Sequence, residues 1–386
     1  VTRRIALFTA TRAEYGLLRP VARALAAQDG TAPLWLVGGA HLSVTLGGTV
    51  SEIEADGEPV AARLQDTAPA DDTPAAVARA AARTGAAVAE ALVRLAPDAL
   101  VVLGDRTELL GAATAAVCLG VPLVHLEGGH VTEGAIDDRI RHAVSKLADL
   151  HFTARPAYAD RLLQLGEPAD RVFVVGSTGV DDLRAAGPTD LAAASAALDW
   201  PLNPGVVLVA WHPETLSGRD AGADVRAVLA GVLAAAGERR LVLTGPNADV
   251  GREAVQAELE RVAAAHPDRV RLYASLGRAR WGKVLGAADA LVGNSSAGVI
   301  EAPALGVPSV NAGDRQAGRL RLPGVIDCDV TAEGVAAALR QALDPAFRAG
   351  LSPDPLADGQ AAKRIAATLA TVDFGALARK PFVDRP

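Results

Sequence analysis

Short runs of aliphatic and β-branched residues alternate along this chain with longer alanine-rich stretches. In the first half the runs are IALFTA (5–10), PLWLVG (33–38), ALVVLG (99–104), PLVHLEG (122–128) and VFVVG (172–176). In the second they are VVLVAW (206–211), RLVLTG (240–245), RVRLYA (269–274), ALVG (290–293) and PSVNAG (308–313). Several are apolar at consecutive positions instead of every second one, the mark of strands covered on both faces of a parallel sheet. The stretches between them supply crossover helices, so the pattern predicts a doubly wound α/β architecture. Residues 136–152, IDDRIRHAVSKLADLHF, read as one amphipathic helix with Ile140, Val144 and Leu147 on its apolar face. Residues 61–75 read as an exposed loop, and 356–373 as a C-terminal helix.

The pattern repeats once at low resolution. DALVVLGDR, a helix and LGVPLVHLEGG (98–129) are echoed by DALVGNSS, a helix and LGVPSVNAGD (289–314). Each copy runs strand, polar turn, helix, Gly-Val-Pro, strand, with the glycine ending the helix and the proline following. Two domains built on one plan would give this echo, and so would the local likeness of any two βαβ units. Punctuation by Gly-Pro and Asn-Pro-Gly makes 183–205 the expected boundary. The expected division is 1–185, 200–355, and a helix and tail at 356–386 that can cross back to the first domain.

Composition narrows the class. At 386 residues, half of them hydrophobic, the chain has material for two cored domains. A formal net charge of −7 argues against a nucleic-acid partner, which rewards a basic face. No apolar run approaches the roughly 18 residues that span a bilayer, so a soluble, cytoplasmic chain is expected. The two cysteines, Cys118 and Cys328, have no metal-ligand spacing and read as small buried residues.

In parallel α/β sheets, ligands bind beyond the carboxyl ends of the strands. The polar residues falling there are the candidates for chemistry. In the first half they are Thr9, Thr11 and Arg12; Asp105 and Arg106; and Glu127 through His130. In the second they are His212; Thr244, Asn247 and Asp249; Asn294, Ser295 and Ser296; and Asp314 and Arg315. A cleft between two such rims would gather carboxylates from one side and a histidine, hydroxyls and an arginine from the other. GNSSAGVIEAPALG (293–306) is the clearest phosphate feature: two serines before a helix, Gly298 in its first turn, and Glu301 one to two turns on, where it could accept from ribose hydroxyls. The serines could equally just cap the helix. Arg12 suits a phosphate, or is a solvated residue at a helix start. Asp138 and His142, four apart, share a helix face and could be a surface pair. His212, fixed by Pro213 at a strand end, is a proton handler or a structural histidine; His41 is a weaker case, His125 reads as core and His266 as surface. Asp105 and Glu127 end neighbouring strands, and clustered carboxylates can divide into acid and base. There is no P-loop, HExxH or GxSxG, so proton transfer without a metal is the economical chemistry.

Taken together, TATRAEYGLLRP (9–20), VGGAHLS (37–43), VLGDRTELL (102–110), HLEGGHVTEGAIDDRIRHAVSKLA (125–148), WHPET (211–215) and GNSSAGVIEAPALGVPSVNAGDRQAGR (293–319) resemble the hydrolysing UDP-N-acetylglucosamine 2-epimerases of sialic-acid-type sugar pathways. The resemblance implies two Rossmann-like domains around a cleft, like the glycosyltransferase-B group, and a homodimer. It implies loss of the C2 proton and of UDP, then hydration of the glycal with inversion, giving N-acetylmannosamine or a relative. No metal or nicotinamide cofactor is needed for that route. Carried onto this chain, Arg12, Ser295, Ser296, Gly298 and Glu301 would hold UDP, with Asn247 and Arg315 nearby. Asp105, Glu127 and Asp138 would handle protons, His212 would steady the leaving diphosphate, and Arg106, His41 and His142 would support the site. The nonhydrolysing epimerases, which return UDP to the sugar, and enzymes of another nucleotide sugar are the alternatives. A glycosyltransferase would leave the carboxylates idle, and a sensor would have no use for them.

Overall fold

The computed structural model describes residues 2–44, 48–71, 73–132, 136–185, 189–214, 218–246, 251–377 and 379–384. The chain divides into two compact units, Val1–Asp182 with Asp358–Pro386, and Leu183–Ala357.

The first unit is a seven-stranded parallel sheet in the order β3-β2-β1-β4-β5-β6-β7. The strands are β1 (Arg3–Thr9), β2 (Thr31–Val37), β3 (Val60–Arg63), β4 (Ala99–Leu103), β5 (Leu123–Leu126), β6 (Leu150–Thr153) and β7 (Val172–Val174). The order reverses between β1 and β4, where Ile5–Leu7 pair with Ala99–Val101. From Ile5 to Thr9 every side chain of β1 is buried, and each large one contributes roughly 1.5–3 kcal/mol by leaving water. One face packs Ile5, Leu7, Trp35 and Val101 against Leu18, Val21 and Leu25 of the helix Arg12–Ala26 and against Ile365 and Leu369 of the helix Ala361–Thr371. The C-terminal helix is therefore part of the first core. The other face packs Phe8, Leu100 and Val102 against Val88, Leu92 and Leu109. There the helices Pro74–Leu95 and Glu108–Leu119 lie so close that a Cβ on Gly111 would sit 2.2 Å from the carbonyl oxygen of Ala81.

The second unit repeats the plan with six parallel strands in the order β10-β9-β8-β11-β12-β13. They are β8 (Val206–Ala210), β9 (Arg240–Thr244), β10 (Val270–Tyr273), β11 (Ala290–Gly293), β12 (Ser309–Ala312) and β13 (Val325–Cys328). The order reverses between β8 and β11. The two echoing segments are thus the fourth and fifth strands of each sheet, β4 with β5 and β11 with β12. Residues around the expected boundary are not bare linker: the helix Leu191–Leu198 buries Ala194 and Leu198 with Trp200 and Leu202 in the second core.

Four expectations are corrected. Residues 60–63 form edge strand β3, so only part of 61–75 is loop. The helix at 136–152 stops at Leu147, and Leu150–Thr153 is β6. GNSSAGVIEAPALG holds no continuous helix; a 3-10 turn, Ser296–Gly298, is followed by a four-residue helix, Glu301–Ala304. Cys118 is exposed and Cys328 half-buried, because the helix carrying Cys118 is apolar on all sides and only one side faces the core, while Cys328 ends an edge strand. Among the described residues, no helix is long and apolar enough to cross a membrane.

Candidate functional site

In the first unit the polar residues converge at the carboxyl ends of β1, β4 and β5. After β1, Thr11 caps the following helix, and the Glu14 carboxylate accepts from the main-chain N–H of Ala10 (2.9 Å) and Thr11 (3.0 Å). The other oxygen of Glu14 is buried without a partner. Burial pushes this carboxyl up to about 7 against the pull of Arg106. His41 is fully buried, its Nε2 3.0 Å from the Thr9 hydroxyl and its Nδ1 2.7 Å from that of Thr49. Burial holds its pKa down at about 4, so the ring is neutral near pH 7. His41 therefore braces the end of β1 and leaves no ring nitrogen for a ligand. Arg12 reaches outward to Glu52 at 3.2 Å and is largely exposed.

After β4, Asp105 pairs with the buried guanidinium of Arg141. The same guanidinium donates to the carbonyl of His130 (3.0 Å) and the hydroxyl of Thr132 (3.1 Å), and lies 3.4 Å from Asp138. Asp138 also accepts from the Thr132 N–H at 2.8 Å and stands 3.6 Å from His142 Nε2. Burial lowers the His142 pKa although Asp138 works the other way. Asp105 and Asp138 are thus held on one cation. Arg106 lies 3.1 Å from Glu108, and for it the nearby carboxylates outweigh burial and keep the charge. After β5, Glu127 takes a left-handed backbone (φ 62°), and its carboxylate is 2.8 Å from His130 Nε2. His125 is core: its ring nitrogens meet Ser145 (3.0 Å) and the Gly104 carbonyl (2.8 Å).

The second unit gathers its polar groups at β8, β11 and β12. The side chain of Asn294 is fully buried and bonds both ways with the main chain of His212: the His212 N–H donates to it at 2.8 Å, and it donates to the His212 carbonyl at 2.8 Å. That pair of hydrogen bonds pins the end of β8 to the end of β11 across the reversal point. The approach is close enough that a Cβ on Gly293 would lie 1.9 Å from the carbonyl oxygen of Ala210. Arg315 (3.2 Å) and Gln316 (2.9 Å) both donate to the Asn294 carbonyl. Burial, then the Arg315 charge, lowers the His212 pKa to about 4. Ser295 caps the 3-10 turn, its hydroxyl accepting from the Ala297 N–H at 3.4 Å. Ser296 and the buried Gly298 lie in that turn. Glu301 accepts from Arg278 and from Trp281 Nε1, each at 2.7 Å. With so short a helix after the turn, little aligned backbone remains to give a macrodipole. An anion here would meet individual N–H groups, hydroxyls and Arg315. Asn247 and Asp249 lie outside the described residues, as does Thr215 of WHPET.

Sequence reading missed Arg141, Glu14, Arg278 and Trp281. Arg141 reads as an ordinary helix arginine, and only the tertiary fold shows three elements meeting on it. Glu14, three residues after Thr11, carries a capping-box signature that could have been read.

The fold and its rims define the class: two Rossmann-like α/β units, each with polar residues at the strand ends where open α/β sheets bind ligands. The family described as UDP-N-acetylglucosamine 2-epimerase matches residues 23–370. The chain is 34% identical to the GDP/UDP-N,N'-diacetylbacillosamine 2-epimerase (hydrolyzing) of Campylobacter jejuni, over 85% of each chain. It is 33% identical to the UDP-N,N'-diacetylbacillosamine 2-epimerase (hydrolyzing) of Legionella pneumophila, over 89% of each. The fold matches the crystal structure of the UDP-GlcNAc 2-epimerase of Neisseria meningitidis bound to UDP-GlcNAc, with a TM-score of 0.78, 18% identity, and coverage of 95% of this chain and 99% of that one. The chain belongs to the UDP-N-acetylglucosamine 2-epimerase family.

Proposed function

We propose that this chain is a hydrolysing 2-epimerase acting on a UDP-linked 2-acetamido sugar, releasing the free 2-epimer and UDP. The observation that carries the reading is the set of carboxylates Asp105, Glu127 and Asp138 around one rim of the first unit, two of them on Arg141. Elimination needs a group to take the C2 proton as the C1–O bond to the diphosphate breaks and the C1=C2 bond forms. Hydration then needs water to add at C1 and a proton to arrive at C2 on the other face. Two directions of proton transfer call for two groups, and carboxylates in unlike surroundings divide those tasks. Asp105 and Asp138 share one buried cation, Arg141, which fixes where both carboxylates stand. Glu127 faces an imidazole instead.

The nucleotide falls to the second unit. Ser295, Ser296, Gly298 and Arg315 offer hydroxyls, N–H groups and positive charge for the diphosphate, and Glu301, held by Arg278 and Trp281, offers a carboxylate for the ribose. His212, neutral near pH 7, would donate to the leaving diphosphate and gain a proton more readily once that charge arrives. In the first unit Arg12 is a second outward cation, and Arg106 and His142 support the carboxylates. Two substrates are worth testing, and they differ in the substituents of the sugar ring. The relatives at 33–34% identity carry diacetylbacillosamine in their names, so that sugar nucleotide stands beside UDP-N-acetylglucosamine. Product analysis with each decides: free sugar and UDP supports the hydrolysing reading, and UDP-N-acetylmannosamine would support the nonhydrolysing one. The reading is of a protein working in the cytoplasm as a homodimer, which light scattering would test.

A further inference from the structure

Outside the carboxylates on Arg141, one pair of titratable side chains is built into the same rim. His130 Nε2 is 2.8 Å from a Glu127 carboxylate oxygen, and both side chains are mostly buried. The imidazole lies flat on the Tyr158 ring, centroids 3.8 Å apart and planes 26° from parallel. The His130 carbonyl is bonded to Arg141, and the Gly129 carbonyl to Arg161. Glu127 carries a positive φ, unusual for a residue with a side chain and sustained only where the surroundings enforce it. A ring stacked on one face by Tyr158, with one nitrogen fixed on a carboxylate, has a defined tautomer and a defined orientation. Among the described residues no side chain or main-chain group bonds its Nδ1. That is the arrangement by which a carboxylate orients an imidazole for proton transfer.

We propose that His130 and Glu127 form a single proton-transfer unit of the active site, the imidazole carrying the proton and the carboxylate setting its tautomer. The proposal rests on the 2-epimerase reading and assigns one of its two proton steps. As the glycal is hydrated, the C1=C2 bond breaks, water oxygen bonds to C1, and the proton on His130 Nδ1 passes to C2. The proton lost by water goes to a carboxylate of the same rim. With the C2 proton taken earlier, the turnover releases one net proton to solvent, matching the extra negative charge on free UDP. The titratable groups around the ring are Glu127, bonded to it, Tyr158 of the helix Pro156–Gln164, stacked on it, and His125 of β5; Arg141 and Arg161 hold the carbonyls of His130 and Gly129, and Arg155 lies near Tyr158 and Glu127.

The test is the pH profile of kcat for the full-length wild type, His130→Gln, His130→Ala and Glu127→Gln, with UDP binding measured beside it. His130→Gln is expected to lose about 10²–10⁴-fold in kcat with little change in KM, and to lose one limb of the profile. Imidazole added to His130→Ala is expected to restore turnover. Glu127→Gln is expected to move the histidine limb to lower pH, because the negative partner is gone. A His130→Gln enzyme with wild-type kcat and an unchanged profile would overturn the proposal. Should the His130 variants not fold, an unmoved limb in Glu127→Gln overturns it. A wild-type chain that turns over neither sugar nucleotide while binding UDP would sink the 2-epimerase reading, and this proposal with it.

Discussion

At the end of the first sheet, Arg141 is bonded at once to Asp105, Asp138, Thr132 and the carbonyl of His130. At the end of the second, Asn294 does the organising, a neutral amide that exchanges two hydrogen bonds with the main chain of His212 and whose own carbonyl takes Arg315 and Gln316. The two sheets share strand order and reversal point, so topology does not cause this difference. The residues at the strand ends do. Carboxylates held on a buried cation are fixed in orientation, which suits groups that must take or give a proton in one geometry. A neutral clamp fixes two strand ends and leaves hydroxyls and N–H groups to an incoming anion. One plan thus supports two tasks, and the proposed division is chemistry in the first unit and nucleotide in the second.

Substitutions can break that division. Asp105→Asn is expected to lower kcat by about 10²–10⁴-fold while UDP affinity, by calorimetry, stays within about twofold. An equal loss of UDP affinity would blur the division. Asn294→Ala removes two buried hydrogen bonds to the His212 main chain at about 1 kcal/mol each, so the melting temperature should drop, and UDP affinity should fall because the pinned strand ends lose their register. If it cut kcat and spared UDP binding, the assignment of the second unit would fail. Ser296→Ala is expected to weaken UDP binding about 3- to 10-fold, the worth of one hydrogen bond; unchanged affinity would leave the serine a turn residue only.

The smallest expected effect concerns stability alone. Glu167 is fully buried and bonded to His151 (2.8 Å), Lys146 (3.0 Å) and Lys380 (2.6 Å). Burial alone would raise its pKa, but the bonds to His151 and Lys380 prevail and bring it down from 4.5 to about 2. A lowered folded-state pKa stabilises the fold above the unfolded value and loses that effect as pH falls through the folded one. Stability should therefore decline between about pH 4.5 and 2, and the decline should be shallower in Glu167→Gln, as read from melting curves across that range.

All ten apolar runs read from the sequence are strands. The three that escaped share a physical cause. β3 and β13 are edge strands, and an edge needs fewer apolar residues: VAAR and VIDC carry charge or half-buried positions. β6 follows its helix after two residues, and LHFT continues the apolar spacing of that helix without a glycine or proline between them. The rims themselves were legible, because a strand end followed by polar residues can be read locally. What each polar residue bonds to was not. His41, a weaker candidate expected to support the site, is a buried brace between two threonines, while Arg141 looked ordinary and is the centre of its rim. Partners 36 residues apart, as with Arg141 and Asp105, are set by the fold and leave no local trace.

The central claim is elimination followed by hydration, and a proton NMR time course in D2O with UDP-N-acetylglucosamine and with UDP-N,N'-diacetylbacillosamine tests it most directly. The account predicts that one of them gives free 2-epimerised sugar carrying deuterium at C2, with UDP released in equal amount. Free sugar that keeps its C2 proton, or a product still attached to UDP, would contradict it.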